Sequence, residues 1–233
     1  MIDDPETPGI VRAAAVSVLS RAHPTHLLMR FMPLIRDPDP LVRRAAAEAS
    51  AILAPEDRVR VAGPALVDSV RGVRAAAARA MAGAEAAIPS DLTEAYAVAG
   101  EEWVEGQLAV AEFPTSRVTL GAYYASMGRF VEAEESLWKA IEMDSTLVPA
   151  WANLADLYRA IGRADDAEAA LEAGLRHDPG SAALVHARGL AHVRAGRPDD
   201  ALADLYRAVE LDSASPRYAY VLVVGLLDLT GPD

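Results

Sequence analysis

Three glycine–arginine pairs, Gly128-Arg129, Gly162-Arg163 and Gly196-Arg197, stand 34 residues apart, and this spacing constrains the fold more than any other feature of the chain. A fixed period of that length means one supersecondary unit stacked on copies of itself. Other positions keep the register: Tyr124, Tyr158 and His192; Ala133, Ala167 and Ala201; Leu137, Leu171 and Leu205; Asp144, Asp178 and Asp212. A glycine between two apolar-periodic segments predicts a helical hairpin, because a residue without Cβ takes positive φ at the turn without strain. The first hairpin is expected to run to about Met127, turn at Gly128 and return from near Val131. Ala133 and Ala140 let the two backbones approach, with Leu137 between them.

The segment containing Trp151, Leu154, Ala155, Tyr158, Gly162, Ala167, Leu171, Gly174 and Pro179 resembles the tetratricopeptide (TPR) repeat family at nearly every position of its pattern. Three units agree in register. The departures are His192 for the usual aromatic, Arg188 for the usual leucine, and Ser145 and Ser213 for the terminal proline. His192 is expected to pack as a substitute aromatic. A fourth unit begins at Pro216 and offers one helix, with Gly231 where its turn would start. The apolar face of that helix (Tyr218, Leu222, Leu226, Leu229) then lacks a second helix, which predicts self-association of the chain as a homodimer.

The first 90 residues repeat at a period of 31. Val11-Arg12, Val42-Arg43 and Val73-Arg74 each open an alanine-rich helix, and Asp37 and Asp68 precede two of the pairs by five residues. The stretch from Asp37 to Ala49 resembles the second helix of a HEAT repeat. Asp37 is expected to cap that helix with Pro40 in its first turn. The recurring arginine is expected to bridge to the aspartate of the adjacent unit, forming a ladder. Between the two systems, residues 90–113 read as one long helix, capped by Ser90 or Asp91, on which both would stack. The expectation is therefore all-α: a right-handed α-solenoid of helical hairpins, with HEAT-like repeats over 1–89 (the first incomplete), a junction helix over 90–113, and a TPR domain over 114–233. A half-repeat at either end leads to the expectation that the chain is a fragment of a larger protein.

Composition limits the chemistry. There is no cysteine, so disulfides, thiolate metal sites and a cysteine nucleophile are excluded within the chain. No phosphate-cradling glycine loop is present, and Tyr124 occupies the first glycine of a would-be nucleophile elbow at Ser126. His23 and His26 lack further ligands for a metal. The pairs Asp165-Asp166 and Asp199-Asp200 fall at helix starts, where they complement the helix dipole. Glu101-Glu102 and the run Glu132, Glu134, Glu135 read as solvated faces, and Trp103, Trp138 and Trp151 fall at packing positions. An enzyme would need a convergent buried carboxylate pair, so the chain reads as non-catalytic, with no cofactor and no metal. Residues 91–233 hold 11 basic and 24 acidic side chains, against 11 and 10 before them, which disfavours nucleic acid as a partner. The longest apolar run, Tyr218 to Leu227, is too short to insert in a membrane.

A protein or peptide partner is left. In the TPR family the first helices of successive hairpins line a concave groove that takes a peptide or a partner helix. The resemblance places Val118 and Ala122 there from the first unit, and Asn153, Asp156 and Arg159 from the second. His186, Leu190 and Arg194 follow from the third, with Arg217 and Tyr220 from the half unit. The carboxylate clamp that some TPR domains use on chaperone C-termini needs Lys, Asn, Asn, Lys and Arg, and the matching positions hold Val118, Ala122, Asn153, Ala183 and Ala187. Only Asn153 fits. The order of HEAT-like units, helix and TPR units, with the stretches Val148 to Arg159 and Pro216 to Val221, also looks like the C-terminal region of bacterial multihaem c-type cytochrome proteins. That resemblance implies an exported, periplasmic redox protein whose haem lies upstream. The competing expectation is that the groove only packs against other domains of the parent chain.

Overall fold

The computed structural model describes residues 2, 4, 6–20 and 27–230, the last two without their side chains. His23, His26 and Gly231 lie outside the described residues, as does the side chain of Leu229. All regular elements among the described residues are helical. They form two compact units, one of residues 1–110 with 126–128 and the other of residues 111–125 with 129–233.

The first unit contains α1 (Gly9–Leu19), α2 (Leu27–Leu34), α3 (Pro40–Ala49), α4 (Pro55–Ala62), α5 (Arg71–Met81) and α6 (Thr93–Leu108). Helices α1, α3, α5 and α6 stack in that order, with α2 packed on α3 and α4 on α5. The 31-residue register explains the stack: Ala45, Ala46, Ala47 and Ala49 of α3 and Ala76, Ala77, Ala78 and Ala80 of α5 are all buried. Side chains that small let helix backbones approach closely. Phe31, Val42, Val61, Leu66, Val73 and Met81 fill the remaining space. Pro33 removes a backbone donor in the last turn of α2, which ends at Leu34.

The cap of α3 differs from the expectation. Asp39, not Asp37, accepts the Leu41 N–H at 2.8 Å, with Pro40 as the first helical residue. Asp37 lies two residues too early to reach the first-turn amides and instead accepts the Asp39 N–H at 2.9 Å. Helix α6 is also shorter than residues 90–113. A 3-10 turn over Ser90–Leu92 precedes it, neither Ser90 nor Asp91 caps it, and Pro114 disfavours helical backbone at Phe113.

The second unit contains α7 (Pro114–Ser126), α8 (Phe130–Met143), α9 (Val148–Ala160), α10 (Ala164–His177), α11 (Ala182–Arg194), α12 (Pro198–Leu211) and α13 (Pro216–Thr230). Gly128, Gly162 and Gly196 all have positive φ, between 67° and 78°. Each following arginine amide closes the turn on the carbonyl of Tyr124, Tyr158 or His192, at 2.9, 2.8 and 3.0 Å. Within the hairpins, Leu137 packs so close to Gly121 that an added Cβ would lie 2.6 Å from its Cγ. A Cβ at Gly174 would lie 2.9 Å from the Trp151 side chain. Trp151 is buried, donates to the Ser145 carbonyl at 2.8 Å, and sits between Trp138, edge-on, and His177, stacked.

Candidate interaction groove

Each unit ties successive repeats together with arginine–carboxylate rungs, and these account for most of the charged residues that might suggest chemistry. In the first unit Arg12 pairs with Asp37, Arg43 with Asp68 and Arg74 with Glu102. The Arg43–Asp68 contact is bidentate, at 2.6 and 3.0 Å, and Arg43 also donates to the carbonyls of Asp37 and Pro38. These bonds hold the Asp68 and Glu102 carboxyls below their ordinary range, chiefly through hydrogen bonds from Arg43 and Arg74. Glu102, read from sequence as part of a solvated face, is thus the third rung.

The second unit uses the arginines of its turns. Arg163 lies 4.3 Å from the Tyr158 ring centre and reaches Glu134 of the preceding hairpin at 3.3 Å; Arg197 reaches Glu168 at 2.6 Å. Tyr158 donates its hydroxyl to Glu134 at 2.6 Å, so Glu134 is a structural acceptor rather than a bare surface charge. The third hairpin is built differently. Arg188, in the register place of Leu154, makes two 2.7 Å bonds to Asp204, and His192 Nε2 lies 3.4 Å from the same carboxylate. Asp204 is only 7% exposed. Sequence periodicity flags Arg188 and His192 as departures but not Asp204, which answers both.

A concavity of about 770 Å³ lies wholly in the second unit, bounded by α9, α10, α11 and the start of α13. Its floor is mostly alanine (Ala152, Ala155, Ala167, Ala187 and Ala191) with Leu171 and Leu190. Its charged lining is Asp156, Arg159, Asp165, Glu168, Arg194, Arg197 and Arg217. Six of the ten residues expected at the groove line it: Asp156, Arg159, His186, Leu190, Arg194 and Arg217. Four do not. Val118 and Ala122 are half-buried on α7, which the cavity does not reach, and Val118 packs on the core of its own unit. Asn153 is half-buried beside the lining positions 152, 155, 156 and 159 but is not among them. Tyr220 is 70% exposed outside the cavity, whereas Tyr218 lines it, because two residues along a helix point about 200° apart. The α10 contribution, Asp165 to Leu171, has no signal in a reading confined to first helices.

His186 is the buried histidine of this lining. It is 3% exposed, its ring lies 4.8 Å from that of Tyr218, and its Nε2 has no hydrogen-bond partner. Burial pushes its pKa below the usual histidine value, and Arg217 pushes it further. Among the described residues no group of His, Asp and Glu could hold a metal ion, and no helix is long and apolar enough to cross a membrane.

Comparison with known proteins agrees with these two architectures. Residues 3–82 match the family model of HEAT repeats, and residues 124–189 that of the tetratricopeptide repeat. The chain is an α-solenoid of HEAT and TPR repeats. The chain also has likenesses among solved structures. One is the first TPR of Spaghetti (RPAP3) bound to the HSP90 peptide SRMEEVD, at 18% identity and a TM-score of 0.45, covering 52% of this chain and 96% of that one. Another is the Yersinia enterocolitica type III secretion chaperone SycD with a peptide of the translocator YopD, at 16%, 0.45, 50% and 91%. A third is MamA from Desulfovibrio magneticus RS-1, at 19%, 0.43, 58% and 75%. All three TM-scores lie below 0.5. The comparison with curated proteins returned no match. Nothing in these comparisons supports the resemblance to multihaem cytochromes.

Proposed function

We propose that the chain is a non-catalytic interaction scaffold whose TPR unit holds a segment of a partner protein in the cavity bounded by α9, α10, α11 and α13. The observation that carries this reading is the cavity itself. A floor of alanines lined by charged side chains leaves about 770 Å³ for another chain's side chains. Against catalysis, the paired carboxylates Asp165-Asp166 and Asp199-Asp200 occupy the first turns of α10 and α12, where the dipole accounts for them. Glu102, Glu134 and Glu168 are engaged as structural acceptors.

Affinity capture from a native extract tests the reading, with the chain compared to an Ala183→Trp variant. Ala183 is exposed and lines the cavity, so an indole there occupies the groove without entering the core. A partner retained by the native chain and lost from a variant of unchanged helicity is the expected result. Equal retention by both places binding elsewhere. The α13 face expected to be uncovered is not: Leu222 is 8% exposed against α12 and Tyr218 rests on His186. A second association is favoured instead by Tyr220, Val223 and Leu227, which are 55–70% exposed. That face supports homodimerisation, and a monomeric mass by light scattering at high concentration contradicts it.

A further inference from the structure

Arg194 and Arg217 differ from every other cation lining the cavity: neither has an ion-pair partner among the described residues. Arg159 is answered by Asp156 and Arg197 by Glu168. The single unanswered carboxylate of the lining, Asp165, lies in the first turn of α10, where the helix dipole favours it. The cavity therefore keeps two uncompensated positive charges in a half of the chain that carries 24 acidic and 11 basic residues. Beside Arg217, His186 is 97% removed from solvent, and its Nε2 is unpartnered. Buried polar atoms are ordinarily satisfied, and one left open in a cleft is a place for a ligand group.

The lining also sets a spacing: His186 and Arg194 are eight residues apart on α11, about 12 Å along the helix at 1.5 Å per residue. In an extended peptide rising about 3.3 Å per residue, that distance is three to four residues. Resting on the groove reading above, we infer that the occupant is an extended acidic segment with two carboxylate side chains three or four positions apart. One carboxylate sits at Arg217 and His186 and the other at Arg194, with small apolar side chains between them on the alanine floor. This is a different arrangement from the chaperone clamp, whose positions here hold Val118, Ala122, Asn153, Ala183 and Ala187.

A random dodecapeptide display library panned against the full chain tests this. The enriched peptides are then synthesised and titrated by fluorescence anisotropy against the native chain, Ala183→Trp, and Arg194→Ala/Arg217→Ala. The expected result is enrichment of peptides with two Asp or Glu three or four positions apart. Their affinity should fall about tenfold for each arginine removed and weaken as salt rises. Peptides that depend on an open groove, lost with Ala183→Trp, but are neutral or insensitive to the two arginines would overturn this inference and leave the groove reading intact. Acidic residues eight positions apart would also overturn it, since that is a helix register. No enrichment, or peptides indifferent to Ala183→Trp, would overturn the groove reading itself.

Discussion

The HEAT and TPR units solve the same problem, joining one repeat to the next, and place the weight of the joint differently. In the HEAT unit the arginine rung lies at the edge of the core. Arg43 and Asp68 are mostly buried, and the guanidinium also satisfies two backbone carbonyls at the mouth of the preceding loop. In the TPR unit the turn arginines lie outside, Arg129 and Arg163 each over a tyrosine ring, and the tryptophans and tyrosines between hairpins carry the joint. The reason is side-chain size. Alanine-faced HEAT helices have little apolar surface left to bury, so a desolvated ion pair sets their register. The aromatic residues of the TPR hairpins bury enough to do without one. The lesson concerns function as well. A unit whose charges are consumed in rungs has few left for a partner, whereas the TPR unit leaves Arg194 and Arg217 unspent.

This contrast can be broken, and the largest effect is expected at Trp151. Trp151→Ala should cost roughly 4 kcal/mol in the TPR unit alone, read as lost hydrogen-exchange protection over α8–α11 with the HEAT helices unaffected. Next, Arg43→Ala should cost about 3 kcal/mol in the HEAT unit, because Asp68 is left buried and unpaired. Asp204→Ala should cost a similar amount, about 3 kcal/mol, by stranding Arg188. The double change Arg188→Leu/Asp204→Ala restores the pattern of the second hairpin, Leu154 against Ala170. It should be at least as stable as the native chain in urea unfolding. Arg163→Ala, whose rung is exposed and screened by solvent, should have the smallest effect of the series. A cost for Arg163→Ala equal to that of Arg43→Ala would erase the distinction between the units.

Acidity should separate the units too. Asp68 and Glu102 have folded pKa values below the unfolded ones, so the ladder's contribution is complete above about pH 4.5 and is lost as pH falls through the lowered values. His186 acts earlier. Its folded pKa lies below the unfolded value of about 6.5, so the unfolded chain binds the proton more readily. TPR stability should therefore fall as pH drops from about 6.5 toward the lowered value. Denaturant titrations at pH 7 and 5 on the native chain and His186→Phe check this, and the variant should lose the dependence.

Much of this was legible in the sequence, for identifiable reasons. The turn glycines, the buried alanines and the arginine ladder all repeat at a fixed spacing, and a repeat forces the same environment on each copy. Features that occur once were harder to see. Asp204 answers Arg188 from 16 residues away, in a position that is serine and alanine in the other hairpins, so no period points to it. The cap of α3 moved from Asp37 to Asp39 because Pro40 fixes where the first turn begins. The groove list followed first helices only, and so it missed Glu168 and Arg197 and chose Tyr220 over Tyr218. The spacing of 29 residues in both Glu134–Arg163 and Glu168–Arg197 was the available clue.

The claim that partner binding resides in the TPR cavity, with the HEAT ladder as framework, is tested most directly by hydrogen–deuterium exchange of the full chain with and without a saturating panned peptide. Added protection confined to α9, α11 and the first turn of α13 is the predicted result. Protection over α3, α5 and α6, or no change anywhere at saturation, would contradict it.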